Sequence, residues 1–168
     1  MHIFSVYIIN FIRLLHMCYT IGLMKNETTL PQEKQAIRTG RYCVYNLHVH
    51  LVFVTKYRQH IFTAEHLKLM FNIFSEVCVD FKATLIEFDG ENDHVHLLIY
   101  YPPQVQLSKL VGSLKGVSSR MLRKNYPDIT KWYYKNQALW SPSYFAASCG
   151  GAPIAIIRQY IEQQKTPD

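Results

Sequence analysis

Apolar residues in this chain recur at two intervals, every second position in some stretches and every third or fourth in others. From Asp93 to Ile99, Val95, Leu97 and Ile99 alternate with the positions between them, which predicts a strand. Val44 to Thr55 is rich in β-branched and aromatic residues and reads as a buried strand. Ala83 to Phe88 reads as a third, joined to the Asp93 strand by the turn Asp89-Gly90-Glu91-Asn92 to form a hairpin. Ala64 to Phe81 follows the helical interval, with Leu67, Met70, Phe71, Phe74, Val77, Cys78 and Phe81 on one face. Leu107 to Tyr126 does the same through Leu107, Leu110, Val111, Leu114, Val117, Met121 and Leu122. Leu139 to Ser148 reads as a last strand, whose Pro142 implies an edge or a bulge. Gly150-Gly151 then permits a sharp turn, and Pro153 suits the first turn of a final helix packed through Ile154, Ile157 and Ile161. On that helix Tyr160 and Gln164, four positions apart, project together.

The N-terminus breaks this pattern. Ile3 to Leu23 is mostly apolar, but Arg13 and His16 interrupt it, and it lacks the basic start and cleavage site of a secretory signal. Met24 opens a polar stretch that resembles an ordinary protein start. Residues 1–23 therefore read as a translated upstream extension, with a marginal membrane anchor as the alternative. Residues 24–41 read as a flexible arm, 42–165 as the folded domain and 166–168 as a tail. A chain of 168 residues, 49% hydrophobic, has material for one cored domain and not two. Its net charge of +6 fits a polyanion or an anionic surface, and 12 Tyr, 9 Phe and 2 Trp exclude a disordered basic tail. Four scattered cysteines, with no paired spacing, suit free thiols in a reducing cytoplasm.

Candidate chemistry gathers at three places. His94 and His96 lie two apart in a strand and so share a face, where two neutral imidazoles can hold a divalent cation; two half-buried histidines satisfied by protein partners would explain the same pattern. His48 and His50 share a face as well, but nothing marks them as ligands, and they read as core or edge histidines. Lys56-Tyr57-Arg58 at a strand end can grip a phosphate through Lys56 and Arg58 and stack a base, though a solvated strand end looks similar. The outward face of the 107–126 helix carries Lys109, Lys115, Arg120, Arg123 and Lys124 with Ser113, Ser118 and Ser119, and no acidic residue lies between Val105 and Tyr126. With Lys131, Trp132, Tyr133, Tyr134 and Lys135 it has the cations and rings of a single-strand nucleic-acid groove.

Taken together, His94-Val95-His96, Trp140-Ser141 through Tyr144-Phe145, Gly150-Gly151 and Tyr160-Ile161-Glu162-Gln163-Gln164 resemble the single-strand transposases of the smallest insertion sequences. These are the TnpA-type tyrosine transposases of the HUH endonuclease superfamily. Thr55-Lys56-Tyr57-Arg58 and Leu114-Lys115-Gly116 match too, so the resemblance runs from about Tyr42 to Lys165. Ala152-Pro153-Ile154-Ala155 departs from it, being more apolar than the family's usual entry to this helix. The resemblance implies an α+β, ferredoxin-like or RRM-like domain: an antiparallel sheet, helices on one face and the tyrosine helix last. It implies Tyr160 as nucleophile, His94, His96 and Gln164 as ligands of Mg²⁺ (Mn²⁺ as substitute), a 5′-phosphotyrosine intermediate and no nucleotide cofactor. It further implies hairpin ends of single-stranded DNA as substrates and a homodimer in which the tyrosine helix can serve the partner's site. Three other readings compete: a domesticated relative acting on repeated palindromes, a non-catalytic single-strand-binding module, and a membrane-associated regulator that inserts residues 1–23.

Overall fold

The computed structural model describes residues 38–132 and 138–148. A short antiparallel ribbon comes first, β1 (Arg38–Thr39) with β2 (Val44–Tyr45). The domain itself runs β3 (His48–Val54), α1 (Ala64–Asp80), β4 (Thr84–Gly90), β5 (His94–Tyr100), α2 (Leu107–Asn125) and β6 (Phe145–Ser148). The four strands form one antiparallel sheet in the order β4-β5-β3-β6. Strand, helix, two strands, helix, strand, with the first of these strands central and the last at an edge, is the ferredoxin-like arrangement, as the family resemblance implies.

Alternation decides which side chains of the sheet pack on the two helices. Val49, Leu51 and Phe53 of β3 and Val95, Leu97 and Ile99 of β5 are buried in one core with residues of both helices. From α1 that core takes Leu67, Met70, Ile73, Phe74, Val77 and Cys78, and from α2 Leu110, Val111, Leu114 and Leu122. The opposite sheet face carries the other parity, His94, His96, Leu98 and Tyr100 on β5 and His48, His50 and Val52 on β3.

Several predicted boundaries move for local reasons. The strand expected over Val44–Thr55 divides, because Asn46 and Leu47 leave the ladder between β2 and β3. Phe71 is 48% exposed instead of core: it lies at the margin of the helical stripe, beside Phe88 at 6.2 Å, and Ile73 fills the interior position. The last strand pairs only from Phe145 onward, with Trp140 making an isolated bridge to Thr55 and Pro142 in the gap. Ser118, expected on the outer face of α2, is fully buried, since its Oγ accepts the Trp140 Nε1–H at 2.9 Å. Helix α1 ends as Lys82 turns left-handed (φ 55°) and the Ala83 amide closes on the Cys78 carbonyl at 2.8 Å. No helix among the described residues is long and apolar enough to cross a membrane. The expectations for residues 1–23 and for the arm before Arg38 lie outside the described residues.

The β4–β5 turn depends on a close approach at Gly90. A Cβ there would lie 2.8 Å from the His94 carbonyl oxygen, 2.9 Å from Val95 Cγ1 and 3.0 Å from Leu67 Cδ2. Gly90→Ala is expected to cost about 1–3 kcal/mol of stability by overpacking, read as a lower denaturant midpoint at unchanged m-value. Gly112→Ala, with nothing within 4 Å of the added carbon, should leave the midpoint equal or higher.

Candidate metal centre

Strand β5 sets His94 and His96 side by side, their ring centroids 5.0 Å apart and the planes near perpendicular. Each ring is held at Nδ1 by a different neighbour. Asp93 Oδ1 lies 2.6 Å from His94 Nδ1, and Asp93 Oδ2 accepts the Arg58 Nε–H at 2.8 Å. An Arg58–Asp93–His94 chain results, in which the carboxylate fixes one imidazole and is fixed in turn by a guanidinium. Histidines that bind metals commonly have such a carboxylate behind them, leaving Nε2 for the ion.

The turn carrying Arg58 is strained. Tyr57 (φ 59°) and Arg58 (φ 54°) both occupy the left-handed region, costly for residues with a side chain. The surroundings over-determine it: the Arg58 amide donates to the Thr55 carbonyl at 3.1 Å, Thr55 Oγ1–H to the Gln59 carbonyl at 2.8 Å, and the Thr55 amide to the Asp93 carbonyl at 2.8 Å. This conformation turns the Arg58 guanidinium back onto Asp93 while Tyr57 stays 63% exposed, with Lys56 Nζ 5.6 Å from its ring centroid.

His96 meets His50 of β3. His50 Nε2 and His96 Nδ1 are 3.1 Å apart, and the rings stack at 5.3 Å. Both residues are nearly inaccessible, at 3% and 4% exposure. Burial lowers the His50 pKa to about 4. His96 is pushed well below the ordinary imidazole value by burial, with the charges of His50 and His94 acting in the same sense. Both rings are therefore neutral at pH 7, the form a metal requires. Sequence reasoning misses His50 because its partner comes from another strand; its spacing from His48 carries no hint of that pairing.

Acidic groups border the pair. Glu91, Asp93 and His94 each offer a ligand atom, all within 4.8 Å of one another, a possible divalent-cation site that sequence reasoning does not assemble. Asp93 already engages His94 and Arg58 with both oxygens, so Glu91 is the carboxylate better placed to supply hard oxygen. Asp89 stands opposite His96 in the ladder; burial raises its pKa, opposed by the Gly90 amide, reinforced by the Glu91 charge and opposed by His94.

The predicted basic residues divide. Lys109 and Arg120 on α2 are exposed and Arg123 half-buried. Lys115 does not stand with them. Its ammonium donates to the carbonyls of Ser141 (2.7 Å) and Ser143 (2.9 Å) and lies 5.5 Å from the Phe53 ring centroid. Burial lowers its pKa to about 8. Lys115 thus fastens the 141–143 segment to α2, below which Trp140 is bonded to Ser118. Tyr160 and Gln164 lie outside the described residues.

Residues 43–164 match the family described as "Transposase IS200 like". The transposase for insertion sequence element IS200 of Salmonella typhimurium is 32% identical over 139 residues, covering 83% of this chain and 88% of that protein. The ISDra2 transposase TnpA of Deinococcus radiodurans is 32% identical over 135 residues, covering 80% and 94%. Among solved structures, a D. radiodurans R1 protein assigned as a transposase superposes with a TM-score of 0.64 at 31% identity, over 77% of this chain and 99% of that one. A REP-associated tyrosine transposase bound to a REP hairpin shares the fold, with a TM-score of 0.51 and 12% identity over 74% and 68%.

The Asp93 pair has a pH signature. Burial alone would raise this carboxyl, but the hydrogen bonds from His94 and Arg58 and the charge of Arg58 outweigh it and bring it to about 2. A depressed carboxyl stabilises the fold above its unfolded value and loses that contribution as pH falls through its folded value. Asp93→Asn should accordingly be less stable than the parent above about pH 4. The gap should close toward pH 2 in urea midpoints taken along a pH series. His50 and His96 are common to both proteins, so their own titration cancels; parallel curves down to pH 2 would refute the assignment.

Proposed function

The chain belongs to the IS200-like transposase family, and on that premise we propose that it cleaves and rejoins single-stranded DNA at insertion-sequence ends through a 5′-phosphotyrosine intermediate. The observation that carries the reading is a pair of imidazoles on one strand face, each tied at Nδ1, one of them through the Arg58–Asp93 ion pair. Support also comes from the span of the family match, which includes both Tyr160 and Gln164.

His94 and His96, with the Gln164 side-chain oxygen, are the residues that would hold Mg²⁺, Mn²⁺ substituting. Bound there, the ion would withdraw charge from the scissile phosphate. Imidazole is a softer donor than Mg²⁺ prefers, so oxygen from Glu91 or from the substrate phosphate suits the remainder of the set. The Tyr160 oxygen, losing its proton, attacks phosphorus; a P–O bond to tyrosine forms, and the bond to the 3′ oxygen breaks, that oxygen leaving as a 3′-OH. The phosphodiester energy is kept in the phosphotyrosine, so rejoining needs no nucleotide. Lys109, Arg120 and Arg123, with Lys56 at the turn, meet the backbone phosphates. The substrates are hairpin-forming ends, and the working unit is a homodimer.

Two outcomes test this. Tyr160→Phe should bind element-end DNA and Mn²⁺ like the parent yet form no covalent adduct on a denaturing gel. His94→Ala and His96→Ala should lose cleavage together with Mn²⁺ affinity, and Gln164→Ala should be affected less. An adduct from Tyr160→Phe would sink the proposal, since the nucleophile would be another residue.

The second outcome concerns salt. Replacing Lys109, Arg120 and Arg123 together by Ala should reduce the log–log salt slope of single-strand binding by about 0.7 for each phosphate no longer neutralised. An unchanged slope would return this helix face to plain solvation. Lys115→Ala should act chiefly on stability, because its ammonium is committed to carbonyls.

A further inference from the structure

A metal-binding histidine must offer a lone pair at the nitrogen that faces the ion, so a neutral ring has to carry its proton on the other nitrogen. For His94 the Asp93 carboxylate settles this, since a carboxylate only accepts and His94 Nδ1 must donate. For His96 the partner is another imidazole, and the bond could run either way. If His50 donates, His96 carries its proton on Nε2 and cannot ligate. If His96 donates from Nδ1, its Nε2 lone pair can serve a cation.

We infer that His50 is a positioning residue for the metal site: its Nε2 accepts the His96 Nδ1–H and so holds His96 in the tautomer and orientation a cation needs. The inference rests on the metal reading above and adds a residue to it. Three features support the assignment. The 3.1 Å separation joins strands that are hydrogen-bonded neighbours in the sheet. The rings are held stacked, with Phe145 of β6 edge-on to His50 at 6.1 Å. Both residues are almost wholly buried, so water does not compete for the contact. His50 thus does for His96, with a neutral acceptor, what Asp93 does for His94 with a charged one. A second carboxylate at that position would place another buried anion in the sheet, whereas an imidazole fixes the proton without adding charge.

The test reads the tautomer before it reads function. Long-range proton–nitrogen correlation on the ¹⁵N-histidine-labelled, metal-free chain should show His96 protonated at Nδ1. Mn²⁺ binding, followed by the disappearance of the free-ion electron paramagnetic signal, should weaken about 10- to 100-fold in His50→Leu. It should change only a few-fold in His50→Gln, whose amide oxygen can still accept. His96 protonated at Nε2 in the wild-type chain overturns the inference, as does Mn²⁺ affinity unchanged in His50→Leu. Should His50→Leu fail to fold, the wild-type tautomer and the His50→Gln affinity decide: Nε2–H at His96 overturns it and Nδ1–H with retained affinity upholds it. A wild-type chain that binds no Mn²⁺, whatever its tautomer, instead fails the metal reading on which this one stands.

Discussion

The pairing of β5 between β4 and β3 is the constraint on which the rest of the molecule depends. With ladders on both sides, the strand cannot slide, and its strict alternation assigns Val95, Leu97 and Ile99 to the core and His94 and His96 to the other face. A slip of one residue would exchange the two sets, putting imidazoles among the aliphatic side chains that pack on the helices. The apolar energy that folds the domain is therefore the same energy that aims the two candidate ligands. Precision at the site comes from the core behind it, not from the polar groups alone.

Those polar groups supply the final adjustment, and two of them come from outside β5. Arg58 reaches Asp93 from a left-handed turn at the end of β3, and His50 reaches His96 from within the same strand. Strand β3 and the turn that follows it therefore serve β5 three times: as ladder partner, as the source of the guanidinium behind one histidine and as the source of the imidazole behind the other. Backbone pairing and these two contacts together fix where the His94 and His96 rings stand.

Much of this is legible in the sequence because it is local. The alternation in β5, the stripes of the two helices and the Gly90 turn are each written within a few residues, and they suffice to order the elements and to place the two histidines on one face. What escapes is written across distance. Lys115 and Ser118 fall on what looks like the solvent side of α2, and only the return of Trp140 and the 141–143 segment onto that side explains why one is bonded to carbonyls and the other fully buried. Phe71 sits at a stripe margin, where periodicity cannot choose between core and rim. His50 and Glu91 gain meaning only from neighbours on other segments.

The stacked His50–His96 pair also sets the order in which the domain meets acid. Two imidazoles buried 5.3 Å apart on one face resist protonation. Below the ordinary imidazole value of 6.5, the unfolded chain takes up protons that the folded one refuses, and stability drains away toward pH 4. The carboxylate behind His94 is still fully charged over that whole interval. On acidification, then, the weak point lies in the centre of the sheet, at a contact with no formal charge, while the ion pair at its rim endures. A domain built this way keeps both of these rings neutral at pH 7 by accepting an early limit on the acidic side.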